Sequence, residues 1–89
     1  MRKSFNIIVS GKVQGVWFRR ATLEKALEFK LTGWVRNIAD GSVEIHFEGE
    51  ERDILLLVDW CRSGPDLARV SQVITSEIVV EEYKEFVIC

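Results

Sequence analysis

Hydrophobic residues change their spacing several times along this 89-residue chain, and the order of those changes limits the folds open to it. Phe5, Ile7 and Val9 alternate with polar neighbours, which predicts a first strand with one apolar face. Residues 18–30 carry apolar or small side chains at helical spacing, which predicts an amphipathic helix. Residues 31–37 return to an extended pattern. The chain therefore begins strand, helix, strand.

A second series of elements follows a short turn. The turn at residues 38–41 contains an Asp-Gly pair, and residues 42–48 show the cleanest alternation in the chain, so a hairpin is predicted here. Acidic residues after Gly49 favour the start of a helix that runs to Cys61, and Gly64 and Pro65 end it. Residues 70–80 are rich in β-branched side chains, and residues 85–89 can add a short edge strand.

The predicted order is βαββαβ with one appended strand. Its economical solution is an α+β fold, the ferredoxin-like sandwich, in which two helices pack on one face of a four-stranded antiparallel sheet and a short extra strand follows at the C-terminus. No internal repeat, low-complexity run or long linker interrupts the pattern. Residues 1–89 are therefore expected to form a single domain.

Charge and composition exclude several classes of partner. The 12 basic and 14 acidic side chains leave a formal net charge of −2, which gives no overall attraction to nucleic acid or to an anionic membrane. No segment reaches the roughly 20 apolar residues that a membrane span needs, and the N-terminal apolar stretch is too short and too polar for a signal peptide. A cytoplasmic monomer is expected.

The two cysteines, Cys61 and Cys89, do not have the spacing of a metal site or of a redox motif. We expect reduced thiols, with Cys61 buried and inert, and neither a metal nor another cofactor. His46 lies among the polar alternates of its strand and is expected on a sheet face. Trp34 and Trp60 are expected to pack in or beside the core.

The segment between the first strand and the first helix is the candidate functional site. Gly11 and Gly15 permit tight backbone geometry, so several N–H groups can converge at a helix N-terminus, and Arg19 can add a guanidinium suited to phosphate oxygens. Adjacent helical residues point about 100° apart, so only one arginine is expected to reach this loop, and Arg20 is expected to be solvated or ion-paired. By itself the segment also fits an ordinary turn and helix start.

Three motifs resemble those of the acylphosphatase family, two of them long and one short. The resemblance covers essentially the whole chain. The motifs are Gly11-x-Val13-Gln14-Gly15-Val16-x-Phe18-Arg19, Gly33-Trp34-Val35-Arg36-Asn37-x-x-Asp40-Gly41-x-Val43-Glu44, and Gly64-Pro65-x-x-Ala68-x-Val70. The resemblance implies an enzyme that hydrolyses the carboxyl–phosphate bond of a small acyl phosphate. It also implies the roles of individual residues: Arg19 and Asn37 as catalytic residues, with Asn37 positioning water, and a phosphate-binding loop of Gln14, Gly15, Val16, Trp17, Phe18 and Arg19.

The chain departs from the family's pattern at the exit of the first helix, where Phe29, Lys30 and Leu31 replace a more usual Leu-Gly-Leu run. Position 17 is variable in the family, and Trp17 could alter the rim of the pocket. Asn37 also suits a turn, so it could instead shape the hairpin. Two rival functions stay open: a non-catalytic acyl phosphate-binding module and an RNA-binding ferredoxin-like module, although the aromatic RNA-recognition pattern is missing.

Overall fold

Five strands and two helices follow one another in the computed structural model, which describes all residues from Met1 to Cys89. They are β1 (Arg2–Lys12), α1 (Phe18–Glu28), β2 (Thr32–Asn37), β3 (Val43–Glu50), α2 (Glu51–Cys61), β4 (Arg69–Ile78) and β5 (Phe86–Ile88). This order confirms the predicted βαββαβ arrangement with an appended strand. None of the helices is both long and apolar enough to cross a membrane.

The strands form one sheet in the order β4-β1-β3-β2-β5. The pairs β1–β3, β1–β4 and β2–β3 are antiparallel, whereas β5 lies parallel to β2. The predicted extra strand thus completes a five-stranded sheet as an edge strand beside β2. Because β1 and β2 both run antiparallel to β3, their C-terminal ends lie at the same edge of the sheet, and β5 ends there too.

A core of 17 buried apolar residues lies between the sheet and the two helices. Alternate strand residues such as Ile7, Val35 and Ile45 point into it, and α2 contributes Ile54 and Leu57. The opposite face of the sheet carries partly buried aromatic side chains. There the rings of Trp34 and His46 stack with their centroids 4.1 Å apart, and the Trp34 indole N–H donates to the Tyr83 hydroxyl oxygen at 3.1 Å.

Helix α1 ends two residues before the predicted end. The Lys30 N–H donates to the Leu27 oxygen at 3.2 Å and the Leu31 N–H donates to the Ala26 oxygen at 2.8 Å. This is the Schellman arrangement, which places the residue after the cap in the left-handed region, and Lys30 has φ 58°. Lys30 therefore occupies a position that favours glycine. Leu27, one of the apolar residues of the helix, is 60% exposed.

Candidate active site

The loop between β1 and α1 turns sharply at two residues with positive φ, Gly15 and Trp17. Gly15 has φ 73°, and a Cβ added there would meet no atom within 4 Å, so this part of the backbone faces open space. Trp17, the residue that caps α1, also adopts a left-handed conformation, with φ 66° and ψ 20°. Successive residues in such turns form concave arrays of N–H groups.

The N–H groups of this loop have no acceptor within the protein. From Gln14 to Arg20 no backbone N–H donates to a backbone or side-chain oxygen, and no side chain caps α1. The first N–H of the helix that has a partner is that of Ala21, which donates to the Trp17 oxygen at 3.0 Å. A run of unpaired donors at the positive end of a helix is well suited to binding an anion.

The charges around the first turn of α1 also favour an anion. This turn contains Arg19 and Arg20 and no acidic residue, whereas the first turn of α2 contains Glu51 and Asp53. Cations are unfavourable at the positive end of a helix dipole, so the two arginines are placed against the helix's own electrostatic preference. Arg20 is paired with Glu24 at 3.5 Å, as expected for an exposed i, i+4 pair.

A cavity of about 510 Å³ opens at the sheet edge where β1, β2 and β5 end. It brings together most of the predicted site residues, namely Gly15, Trp17, Phe18, Arg19 and Asn37. Gln14 and Val16 do not line it, and Val16 is buried beneath the loop. The sequence did not predict the other lining residues, which are Val13, Arg20 and Ile88. Both arginines thus reach the cavity wall, where only Arg19 had been expected.

The Asn37 side chain is exposed at the end of β2 and makes no hydrogen bond within the protein. The hairpin turn is instead held by other groups: the Ile38 N–H donates to the Ser42 oxygen at 2.9 Å, and the Ser42 hydroxyl and N–H donate to the Asp40 carboxylate. Those two donors lower the pKa of Asp40. The structure therefore assigns the shaping of the hairpin to Asp40 and Ser42, and leaves the Asn37 amide available in the cavity.

Gln14 also makes a long-range contact that the sequence did not predict. Its side-chain amide donates to the main-chain oxygens of Ile38 and Ser42, both at 2.9 Å, so it joins the loop after β1 to the turn after β2. These partners lie 24 and 28 residues away in the chain. No local pattern in the sequence indicated this bridge.

The C-terminal segment forms another wall of the cavity. Ile88 lines it, and the Arg19 guanidinium donates to the main-chain oxygen of Cys89 at 3.2 Å. The Cys89 N–H in turn donates to the Val35 oxygen at 2.9 Å. This contact directs the guanidinium toward the end of β5, and the sequence could not show it because it depends on the parallel pairing of β5 with β2.

Cys61 lies apart from the cavity, in the core on α2. Burial raises the pKa of its thiol to about 12, so it stays protonated and is not a nucleophile near neutral pH. No group of three or more His, Cys, Asp or Glu side chains is arranged to hold a metal ion.

Comparisons with known proteins agree with this architecture. The family model for acylphosphatase matches residues 5–88. An acylphosphatase from Methylococcus capsulatus is 46% identical over 87 residues, which cover 97% of this chain and 95% of that protein. The structure of an acylphosphatase from Coxiella burnetii has a TM-score of 0.96 and 45% identity, over 99% of this chain and 93% of that one.

A larger protein contains a similar domain. The crystal structure of full-length HypF, in a phosphate- and nucleotide-bound form, matches all of this chain with a TM-score of 0.89 and 30% identity, but this chain spans only 12% of HypF.

The fold and the cavity together define a ferredoxin-like α+β protein in which the loop before the first helix carries unpaired backbone N–H groups. The chain belongs to the acylphosphatase family. It is accordingly a hydrolase that acts on acyl phosphates, and the predicted family, fold class and enzyme class are confirmed.

Proposed function

We propose that the loop from Gln14 to Arg19 binds the phosphate group of an acyl phosphate and that Asn37 positions the attacking water, without a metal ion. The observation that carries this proposal is the run of unpaired N–H groups from Gln14 to Arg20, in a loop whose residues Gly15, Trp17, Phe18 and Arg19 line the same cavity as the Asn37 amide. A phosphate dianion offers acceptor oxygens for these donors and compensates the charge of Arg19 at the helix start.

The chemistry of phosphoryl transfer suits these groups. The transition state is loose, so the protein must hold charge on the phosphoryl oxygens and align the water, and it needs no strong base. Arg19 and the loop N–H groups provide donors aimed at those oxygens. The leaving carboxylate has a conjugate acid of pKa about 4, like Asp or Glu, so it departs without a proton from the protein.

Asn37 has a separate task in this mechanism. Its neutral amide cannot remove a proton, but its oxygen can accept from a water molecule and its nitrogen can donate to the substrate. Because the side chain has no partner in the protein, both atoms are free to do so. Fixing the line of attack lowers the entropy cost of reaction without changing phosphate affinity.

We assign this activity to a single domain over residues 1–89. We retain the cytoplasmic monomer as part of the proposal. The non-catalytic alternative is favoured only by the likeness to HypF, in which the matching region is a small part of a larger protein.

The test compares Arg19→Ala with the matched control Arg20→Ala, because the two arginines are adjacent and both line the cavity. Hydrolysis of benzoyl phosphate is measured without added metal, together with the shifts of loop amide NMR signals on addition of inorganic phosphate. We expect Arg19→Ala to lower kcat/KM by about two to three powers of ten and to weaken phosphate binding, while Arg20→Ala changes both far less.

Full activity in Arg19→Ala would refute the proposed role of this arginine. If the parent protein bound phosphate at the loop but turned over no acyl phosphate, the binding-module alternative would replace the enzyme. Salt-dependent binding of single-stranded RNA would instead favour the RNA-binding alternative.

A further inference from the structure

A fully buried carboxylate lies on the face of the sheet that is opposite the helices. Glu48, on β3, has no solvent-exposed surface, and residues Glu81 and Tyr83 of the connection between β4 and β5 contact it. Charged side chains are almost never completely buried without partners. The partners of Glu48 therefore indicate what this carboxylate does.

The Glu48 carboxylate accepts hydrogen bonds from two segments of the chain. The N–H groups of Glu81 and Tyr83 donate to its two oxygens at 2.8 and 3.0 Å, and the Arg2 guanidinium donates to one of them at 3.3 Å. Burial by itself would raise the pKa of Glu48, but these donors hold it below its ordinary value. Glu48 is thus a charged anchor for the backbone of the β4–β5 connection.

This connection leads directly to the cavity. The Glu85 oxygen accepts from the Gly33 N–H at 2.9 Å, β5 then pairs with β2, and the chain reaches Ile88 in the cavity wall. One residue further, Cys89 accepts the hydrogen bond from Arg19 at 3.2 Å. Strand β5 has only three residues and pairs with one neighbour, β2, and Phe86 is buried in the core against Phe47, so the segments that flank β5 contribute to its position beside these contacts.

We propose that Glu48 is a positioning residue for the Arg19 guanidinium, acting by holding the β4–β5 connection and hence the β5 wall of the cavity. This inference rests on the proposed role of Arg19 in phosphate binding. Without the carboxylate, the Glu81 and Tyr83 N–H groups would lose their acceptors in a partly buried setting. The connection would then loosen, and with it the segment that orients Arg19.

The test is Glu48→Gln, which keeps the side chain's size but replaces one acceptor oxygen with an NH₂ group facing a backbone N–H. We expect kcat/KM for benzoyl phosphate to fall by about tenfold to a hundredfold, as a small misplacement of a binding group can cause. Amide NMR signals of residues 86–89 should shift. Arg2→Ala is the matched control, because it removes the ion pair and leaves both backbone bonds to Glu48, and it should retain nearly full activity.

A double-mutant cycle shows whether the effect passes through Arg19. If it does, adding Glu48→Gln to Arg19→Ala should cause little further loss, whereas an independent structural effect would multiply the two losses. Should Glu48→Gln not fold, Glu48→Asp keeps the charge but is one methylene too short to reach both N–H groups, and the same cycle applies.

Multiplying losses, or full activity in a folded Glu48 variant, would overturn this inference. These results are distinct from a failure of the proposed function, which would appear as full activity in Arg19→Ala alone.

Discussion

The side-chain amide of Gln14 lies 2.9 Å from the main-chain oxygen of Ile38, so the loop after β1 is fastened to the turn after β2. The same amide donates to the Ser42 oxygen, also at 2.9 Å. The two halves of the candidate site, the N–H array and Asn37, therefore have a direct mechanical connection that involves neither substrate nor the core.

Replacing Gln14 with alanine should separate these halves. We expect Gln14→Ala to lower the free energy of unfolding by about 1–2 kcal/mol, because two partly buried carbonyl oxygens lose a donor. Turnover should fall by about tenfold, since the water and the phosphate are no longer held in fixed relation. Urea unfolding and benzoyl phosphate kinetics measure the two effects. The control is Gln72→Ala, at an exposed position of β4. Equal turnover in the two variants would refute a catalytic role for the contact between Gln14 and the turn after β2.

Asn37→Ala should reduce kcat by about two to three powers of ten, because its amide is proposed to align the attacking water. The inhibition constant of inorganic phosphate should stay within about twofold of the parent value, since binding depends on the loop and Arg19. Asn6→Ala is the control: Asn6 lies outside the cavity and donates to Glu44 at 2.8 Å. An inhibition constant that rose as far as kcat fell would contradict the separation of roles.

Lys30→Gly should stabilise the protein by about 1 kcal/mol, because Lys30 has φ 58° at the end of α1 and glycine adopts this conformation without a steric penalty. The control is Lys25→Gly within the same helix, where glycine should instead destabilise by about 1 kcal/mol. Thermal or urea unfolding gives both values. If both variants lowered the free energy of unfolding, the positive φ of Lys30 would carry no steric cost.

The pH dependence of stability should include a contribution from His46. Burial against Trp34 and its neighbours lowers the pKa of His46 below 6.5; the nearby Glu44, Glu81 and Glu48 carboxylates oppose that shift and Arg36 adds to it. The unfolded chain therefore takes up a proton at higher pH than the folded protein, so stability falls as pH decreases through about 6.5 toward the lower folded pKa.

His46→Gln should remove this part of the pH dependence. Urea unfolding at several pH values between about 7.5 and 5.5 measures this contribution to the free energy of unfolding. That pH range lies above the range in which carboxylates titrate. The pKa values of Glu44 and Glu48 are lowered from 4.5, so their contributions are lost only at still lower pH. An unchanged slope in the variant would assign the dependence to other groups.

The sequence was sufficient for the elements that depend on local pattern. Alternation predicted β1, and helical spacing predicted α1. The resemblance to acylphosphatases then selected Arg19 over Arg20, although both arginines line the cavity.

Contacts between distant segments could not be predicted in this way. The Gln14 side chain reaches across to the hairpin turn, 24 residues away, a contact separate from the role predicted for the loop backbone. Ile88 joined the cavity because β5 pairs in parallel with β2, and no local pattern specifies the partner of a three-residue strand. The departure at Lys30 was visible in the sequence, but only the structure shows its positive φ.

The position of β1 between β3 and β4 has a kinetic consequence. Strand β1 needs residues 43–50 on one side and residues 69–78 on the other, so the sheet cannot close before these distant segments are present. The intervening segments lose conformational entropy before the strands pair, so such topologies fold more slowly than helical bundles. Catalytic competence would then return late in refolding, once β4 and β5 have joined the sheet.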